Sequence, residues 1–362
     1  MNPVQIFKQK NVIFAGQETA TMNKRIVLIV LATLTLIATG CKKGEKQPAS
    51  DDSAIISISV TGAPESAVLV GEKFSLTVES TSDEVDAKTA EWSSSNPAVA
   101  KVNANGDVIA TGKGTCEISA TVGKASGKVA VSVNDRDPVK DEMGHTGNGK
   151  TLTGMNNNEV YFPISGTRWT GLLWYQGGNN SMTYYNNSTF KADWSATMSL
   201  IASVGYDYGN PVKWQDLDFD CYFKHSKSGS AGGYSFIGIH GWTLNPLVEF
   251  YIVDDWFSKP GPQLLGQKKG EFVVDGVSYD IYQNTRVHAP SISGEKTFSQ
   301  FFSVRSTARQ SGHIDISAHF KEWESLGMKM GDDMRQLMYY LEVGGGSGSM
   351  DCTYLFMCDG QL

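Results

Sequence analysis

The residue that most invites a chemical reading is Glu249, a carboxyl set inside the apolar run Pro246-Leu247-Val248-Glu249-Phe250-Tyr251-Ile252-Val253. A carboxylate on such a strand is costly to bury without partners, so it marks either a function or a structural salt bridge. One chemistry that uses an ionised carboxylate in an enclosed place is hydrolysis of a glycosidic bond with retention of configuration. That reaction needs a second carboxyl, protonated, roughly 5–5.5 Å from the first and across the scissile bond. Both groups must project from inward strand faces. Strand aromatics on a concave sheet would stack against sugar rings, with core packing as the competing use of the same rings.

The segment around Glu249 supplies such strands. From Thr151 onward the chain is rich in Tyr, Trp, Phe, Gly, Ser and Asn, and it breaks into short alternating runs such as Val273/Asp275 and Phe301/Ser303/Arg305. Many short antiparallel strands favour a sandwich or jelly roll. One helix is expected, with Ser317 as its cap, Phe320, Trp323 and Leu326 on one face, and Gly327 as its end. Upstream, Phe74/Leu76/Val78, Cys116/Ile118/Ala120 and Val129/Val131/Val133 each mark one strand face, and Asn96-Pro97, Asn105-Gly106-Asp107 and Gly112-Lys113-Gly114 mark turns. Residues 54–134 are therefore expected to form a first β-sandwich. Residues 135–150, charged and Gly-rich, are the expected linker to a second domain over 151–362.

With 362 residues, two domains are the natural expectation. A net charge of −7 and the lack of a long Lys/Arg cluster argue against nucleic acid and anionic membrane as partners, and favour a neutral one. The five cysteines, Cys41, Cys116, Cys221, Cys352 and Cys358, lack the paired close spacing of a zinc site, so no metal is expected. Pairing of Cys352 with Cys358 stays open. Lys24-Arg25, the apolar run Ile26 to Ile37 and Ala38-Thr39-Gly40-Cys41 resemble a bacterial lipoprotein signal, which implies lipidation at Cys41 and translation from Met22. An ordinary signal peptide with an incidental Cys is the alternative. Residues 1–41 are thus a leader and 42–53 a polar tether, and the protein is expected at a bacterial membrane, facing the periplasm or the exterior, held only through its lipid anchor.

Two stretches carry a family resemblance. Trp92 to Ala100, Asn105 to Ala110 and Gly114-Thr115 resemble the bacterial immunoglobulin-like group 2 module, which implies a spacer or adhesive role without catalysis. Gly241-Trp242-Thr243 with Pro246-Leu247-Val248-Glu249, then Asp275 to Tyr282, Arg286, Ala289-Pro290-Ser291-Ile292-Ser293-Gly294, Phe298 to Arg305, and His319-Phe320 with Trp323 resemble family 11 of the glycoside hydrolases, in order. That resemblance covers 160–358 and implies an endo-1,4-β-xylanase with a concanavalin-like jelly roll, needing no cofactor and acting on xylan or a related plant β-glycan. The expected class is all-β, an immunoglobulin-like sandwich followed by the jelly roll with a single α-helix.

Residue by residue, the resemblance makes Glu249 the nucleophile and Glu342 the general acid/base. Glu342 lies in Tyr339-Tyr340-Leu341-Glu342-Val343, whose apolar and aromatic character raises a carboxyl pKa toward the neutral form an acid needs. A strand-edge carboxylate facing water is its alternative. Arg286 is expected to hold Glu249 ionised, Tyr251 to hydrogen-bond the nucleophile or the sugar, Gln300 and the thumb near Pro290 and Ser291 to meet hydroxyls, and Trp174 to stack on a distal sugar or to pack as core. The chain departs from the family at His240, where a Tyr is usual; at Ser199, where Asn or Asp is; and at Gln336 and Gly344, where tyrosines are. His240 either couples activity to its own charge or is satisfied by a neighbour. A glycan-binding surface protein that kept the cleft and lost catalysis, a related β-glycanase, and an adhesin without carbohydrate function are the rival readings.

Overall fold

The computed structural model describes residues 57–81, 86–153, 156, 159–164 and 167–362. The expected leader over 1–41, with Met22 and Cys41, and the tether over 42–53 lie outside the described residues.

Side-chain alternation along each strand decides which groups face the site. In Asp333–Val343, Leu337, Tyr339, Leu341 and Val343 enter the main core, while Gln336, Tyr340 and Glu342 line a cleft on the opposite face. In Val248–Asp255, Val248, Phe250 and Ile252 enter the core and Glu249 and Tyr251 face the cleft. Both belong to a nine-stranded sheet ordered Val160–Pro163, Trp169–Gln176, Ser199–Lys213, Asp333–Val343, Ser235–Leu244, Val248–Asp255, Gly294–Arg305, Val277–Ser291 and Gln267–Val274. A six-stranded sheet, from Lys150–Leu152 to Ser311–Asp315, faces it. Phe190, Phe223 and Leu355 of the smaller sheet meet Ile239, Phe250 and Leu337 of the larger in one core. Within the large sheet, Val248–Asp255 and Gly294–Arg305 run parallel, and their register sets Gln300 beside Glu249.

The expected helix is Ile316–Ser325, with Phe320 and Trp323 fully buried against the core. Its cap is Asp315, whose carboxylate accepts from the Ala318 amide at 2.8 Å, and not Ser317, whose hydroxyl accepts from the Phe219 amide at 2.9 Å. Asp315 offers an ionisable acceptor two residues earlier. A second helix, Pro262–Leu265, corrects the single-helix expectation; one turn begun by a proline is too short to leave a periodic signal.

The first module forms strands from Ile58–Thr61 to Ala125–Asn134, with Leu76, Ala100, Val108, Ile118 and Val133 in its core. Tyr222 and Tyr354 of the jelly roll join that same core, so the two modules share an apolar seam. Gly71, at φ 83°, sits where a Cβ would fall 2.3 Å from the Phe356 ring. The Arg136 guanidinium stacks 3.5 Å from the same ring's centroid while its Nε donates to the Val70 carbonyl at 2.8 Å, and Lys101 pairs with Asp218 at 2.5 Å. Residues 135–150 are consequently no free linker. Met143 packs into the seam, and His145 bridges Thr189 at 2.9 Å and Asp351 at 2.8 Å while stacking on Tyr185. Arg136→Ala is expected to lower stability by about 1–2 kcal/mol through loss of the ring contact and the carbonyl bond. A thermal melt of the two-module protein reads this as a drop of a few degrees, and an unchanged midpoint would remove Arg136 from the seam's energetics.

Cys116, Cys221, Cys352 and Cys358 are all free and buried. Cys352 and Cys358 both lie within Gly346–Cys358, and six residues of extended strand separate two thiols by roughly 20 Å, far beyond disulfide reach.

Candidate active site

The cleft on the concave face has a volume of about 460 Å³ and is lined by Trp174, His240, Trp242, Tyr251, Tyr340 and both carboxyls, among others. Trp174 comes from Trp169–Gln176, and its partial exposure makes it a cleft residue and not a core one.

Glu249 is buried to 9% exposure, and its carboxylate collects donors from three strands. Tyr251, two residues on and hence on the same face, donates its hydroxyl to Oε1 at 2.8 Å. His240, opposite Tyr251 on Ser235–Leu244, places Nε2 at 3.0 Å from the same oxygen, so beside an ionised Glu249 it is the Nε2–H tautomer or the imidazolium that donates. Gln300, from the parallel neighbour, donates Nε2 to Oε2 at 2.7 Å, and its own carbonyl accepts from Asn284 at 3.0 Å. Hydrogen bonds to the charged form are what an ionised buried carboxylate requires. Gln300 thus serves the Glu249 carboxylate directly. Expected to meet sugar hydroxyls, it is buried at the carboxylate instead.

Arg286 does not fill the role expected of it. It lines the cleft from Val277–Ser291 but is exposed, and it forms no ion pair with Glu249. The strand carrying Gln300 lies between theirs, and it is the Gln300 amide that reaches Glu249 Oε2.

Glu342 sits on the next strand over from Ser235–Leu244. Burial raises its carboxyl above the ordinary range, the negative charge of Glu249 raises it further, and hydrogen bonds from Tyr340 and Tyr234, with His240 nearby, pull the other way. Tyr340 donates to Oε2 through a short contact, and Tyr234 donates to Oε1 at 3.1 Å. Burial holds the phenols of Tyr340 and Tyr251 well above the usual tyrosine range, which keeps them donors. His240 stacks on Tyr340 with ring centroids 4.5 Å apart, so a partner of Glu249 and a partner of Glu342 pack against each other. A titrating pair whose surroundings push one member toward the neutral form is the arrangement that separates acid from nucleophile.

Pro290 and Ser291 reach the cleft from the hairpin formed by Val277–Ser291 and Gly294–Arg305, whose turn is closed by the Ser291 hydroxyl donating to the Gly294 carbonyl at 2.5 Å. Ala289 and Phe298 of this hairpin pack on Trp242, anchoring its base beside the site. Gln336 is buried at the cleft wall beside Tyr161. Sequence reasoning missed Tyr234 and Tyr340. Tyr340 was within reach, because residues two apart on a strand share a face with Glu342. Among the described residues, no group of three or more His, Cys, Asp or Glu side chains is arranged to hold a metal ion.

Residues 168–353 match the model of glycosyl hydrolases family 11, and residues 54–133 that of the bacterial Ig-like domain, group 2. Endo-1,4-beta-xylanase C of Fibrobacter succinogenes is 54% identical over 238 residues, which cover 66% of this chain and 38% of that protein. The chain therefore spans well under two thirds of that relative's length. Endo-1,4-beta-xylanase A of Bacillus pumilus is 41% identical over 178 residues, 49% of this chain and 75% of that one. Among solved structures, a wild-type ENZbleach xylanase superposes with a TM-score of 0.57 at 36% identity, covering 61% of this chain and 91% of that one.

Proposed function

Because the chain belongs to glycosyl hydrolases family 11, we propose that its jelly roll is a retaining endo-1,4-β-xylanase that cleaves internal bonds of xylan by double displacement. Glu342 gives its proton to the departing glycosidic oxygen while Glu249 attacks the anomeric carbon and forms a glycosyl-enzyme. Glu342, now ionised, takes a proton from the incoming water, whose oxygen displaces Glu249. The observation that carries this reading is the pair of carboxyls in one cleft with opposite surroundings: Glu249 held by three donors, and Glu342 pushed toward its neutral form by burial and by the charge of Glu249. Tyr251, His240 and Gln300 disperse the charge of Glu249 before attack and again as it leaves. The two relatives, both endo-1,4-beta-xylanases, support xylan as the polymer.

The rival reading, a binding protein that kept the cleft, is disfavoured by the same geometry, since a lectin has no use for a buried anion held by three donors. The test is reducing-sugar release from xylan and from mixed-linkage β-glucan by residues 54–362, with the anomeric configuration of the first product followed by proton NMR. Release from xylan with the β-anomer appearing first is expected. Inverted product would overturn the double displacement. Binding of xylan without release would move the assignment to the glycan-binding protein, and preferential release from β-glucan to a related glycanase.

A further inference from the structure

Ser199 and Gly344, two small residues just beyond Glu342 on neighbouring strands, face a single side chain. Tyr234, just ahead of Ser235–Leu244, donates its hydroxyl to Glu342 Oε1 at 3.1 Å, and the same phenol oxygen lies 3.3 Å from the Ser199 hydroxyl. A Cβ built on Gly344 would fall 2.1 Å from the Tyr234 ring, the middle of the side chain and not its flexible end. Backbone bonds clamp the two segments together: Gly344 N to Tyr234 O at 2.9 Å and Gly233 N to Gly344 O at 2.6 Å. The ring therefore lies in a space that exists only because residue 344 has no side chain.

Resting on the xylanase reading, we propose that Tyr234 is the positioning residue of the acid/base: lodged over Gly344 and backed by Ser199, it holds the Glu342 carboxyl by a hydrogen bond and sets the pH at which the acid loses its proton. The device has two parts that need each other. The glycine makes room, and the tyrosine uses it to bring a donor from one strand onto a carboxyl of the next.

The sign follows from the donor. A phenol O–H donating to a carboxylate stabilises the ionised form and lowers its pKa, so removing it raises the pKa. The protonated acid then survives to higher pH, and the alkaline limb of kcat/KM moves up. Glu159, Tyr161 of Val160–Pro163, Glu249 and Tyr251 of Val248–Asp255, His240 of Ser235–Leu244, Tyr340 of the acid's own strand and Arg286 of the hairpin are the other titratable or charged groups around this cleft, and all of them are kept in changes at 199, 234 or 344. From Ser199–Lys213 the cleft receives only Ser199 and Ile201.

Three variants of the two-module protein test this. Tyr234→Phe keeps the ring and removes only the hydroxyl. Gly344→Ala keeps the hydroxyl and evicts the ring. Ser199→Ala removes the hydroxyl that backs the phenol. Each is read by the pH profile of kcat/KM on xylan and, without substrate, by carbon-13 NMR titration of the Glu342 carboxyl. Tyr234→Phe and Gly344→Ala are expected to shift both readouts upward by roughly half to one pH unit, Ser199→Ala by less in the same direction, and the Tyr234→Phe/Gly344→Ala double variant by no more than either single change. An unmoved or downward Glu342 titration in Tyr234→Phe overturns the assignment, as does an additive double variant. If Gly344→Ala does not fold, Tyr234→Phe and Ser199→Ala still decide. The NMR titration separates the two claims: a shifted carboxyl in a protein that releases nothing from xylan would leave the positioning intact and sink the xylanase reading.

Discussion

Glu249→Gln is expected to lose xylan cleavage by on the order of 10⁴-fold or more while leaving the fold intact. The amide is nearly the same size as the carboxylate but cannot attack an anomeric carbon and leave again, so the covalent half of the reaction disappears. The effect on stability can be argued atom by atom. At Oε1 the hydroxyl of Tyr251 and Nε2 of His240 converge, at 2.8 and 3.0 Å, and an amide oxygen placed there keeps both bonds. At Oε2 the Gln300 amide donates at 2.7 Å, and there the new NH₂ meets another donor. Turning Gln300 over would repair that contact only by giving up the bond its carbonyl accepts from Asn284. One buried donor is left unpaired either way, a cost of about 1–3 kcal/mol. Thermal melts should thus show a modest loss while activity is gone. Intact-mass spectrometry after exposure to a slowly hydrolysed fluorinated glycoside should find one added glycosyl unit on the parent protein and none on the variant. Residual xylan cleavage above a few per cent would show that another group can serve as nucleophile.

Glu249 was legible in the sequence for a physical reason: a charge inside an apolar strand announces either a partner or a purpose. What the sequence did not disclose is who the partners are. Tyr251 follows from strand alternation, but Gln300 reaches Glu249 through a parallel pairing that joins strands 51 residues apart, and Tyr234 reaches Glu342 across 108. Register at that range is decided by packing of both faces of the sheet, not by local pattern. Arg286 illustrates the reverse error. The family resemblance carried a cation onto Arg286 as the partner of Glu249, yet the intervening strand supplied a neutral amide.

The same limit applied to the fold. Alternating runs marked the strands of both modules, since each has one face on a core. The seam between modules left no such trace. Arg136 and Met143 lie in a stretch whose charge and glycine content suggested a linker, and they become structural only because Phe356, Tyr222 and Tyr354 project from the outer sheet to meet them. An apolar residue facing outward on an outer strand is ordinary by itself. Its significance appears only when a second surface covers it.

Glu342→Ala should separate the two half-reactions. Xylan has a poor leaving group that needs a proton, so its cleavage is expected to fall by roughly 10²–10⁴-fold. An aryl glycoside whose phenol departs without protonation should still glycosylate Glu249, and because no base remains to activate water, the intermediate should accumulate, giving a burst followed by a slow steady state. Azide needs no base and fits where the carboxyl was. It should accelerate the slow phase and yield a glycosyl azide of the same configuration as the substrate, since two displacements have occurred. In Glu249→Ala the same anion attacks the substrate directly while Glu342 still protonates the leaving group, so the azide product should be inverted. Stability enters differently for the two carboxyls: removing Glu342 strands the hydroxyls of Tyr340, which is buried, and Tyr234, which is partly exposed and can turn to water. The melt of Glu342→Ala should therefore fall mainly on account of Tyr340. Retained azide product from Glu249→Ala and inverted product from Glu342→Ala would exchange the two roles, and the donors around each carboxyl would then have to be read the other way: three to hold an acid, two to hold a nucleophile whose own burial opposes its charge.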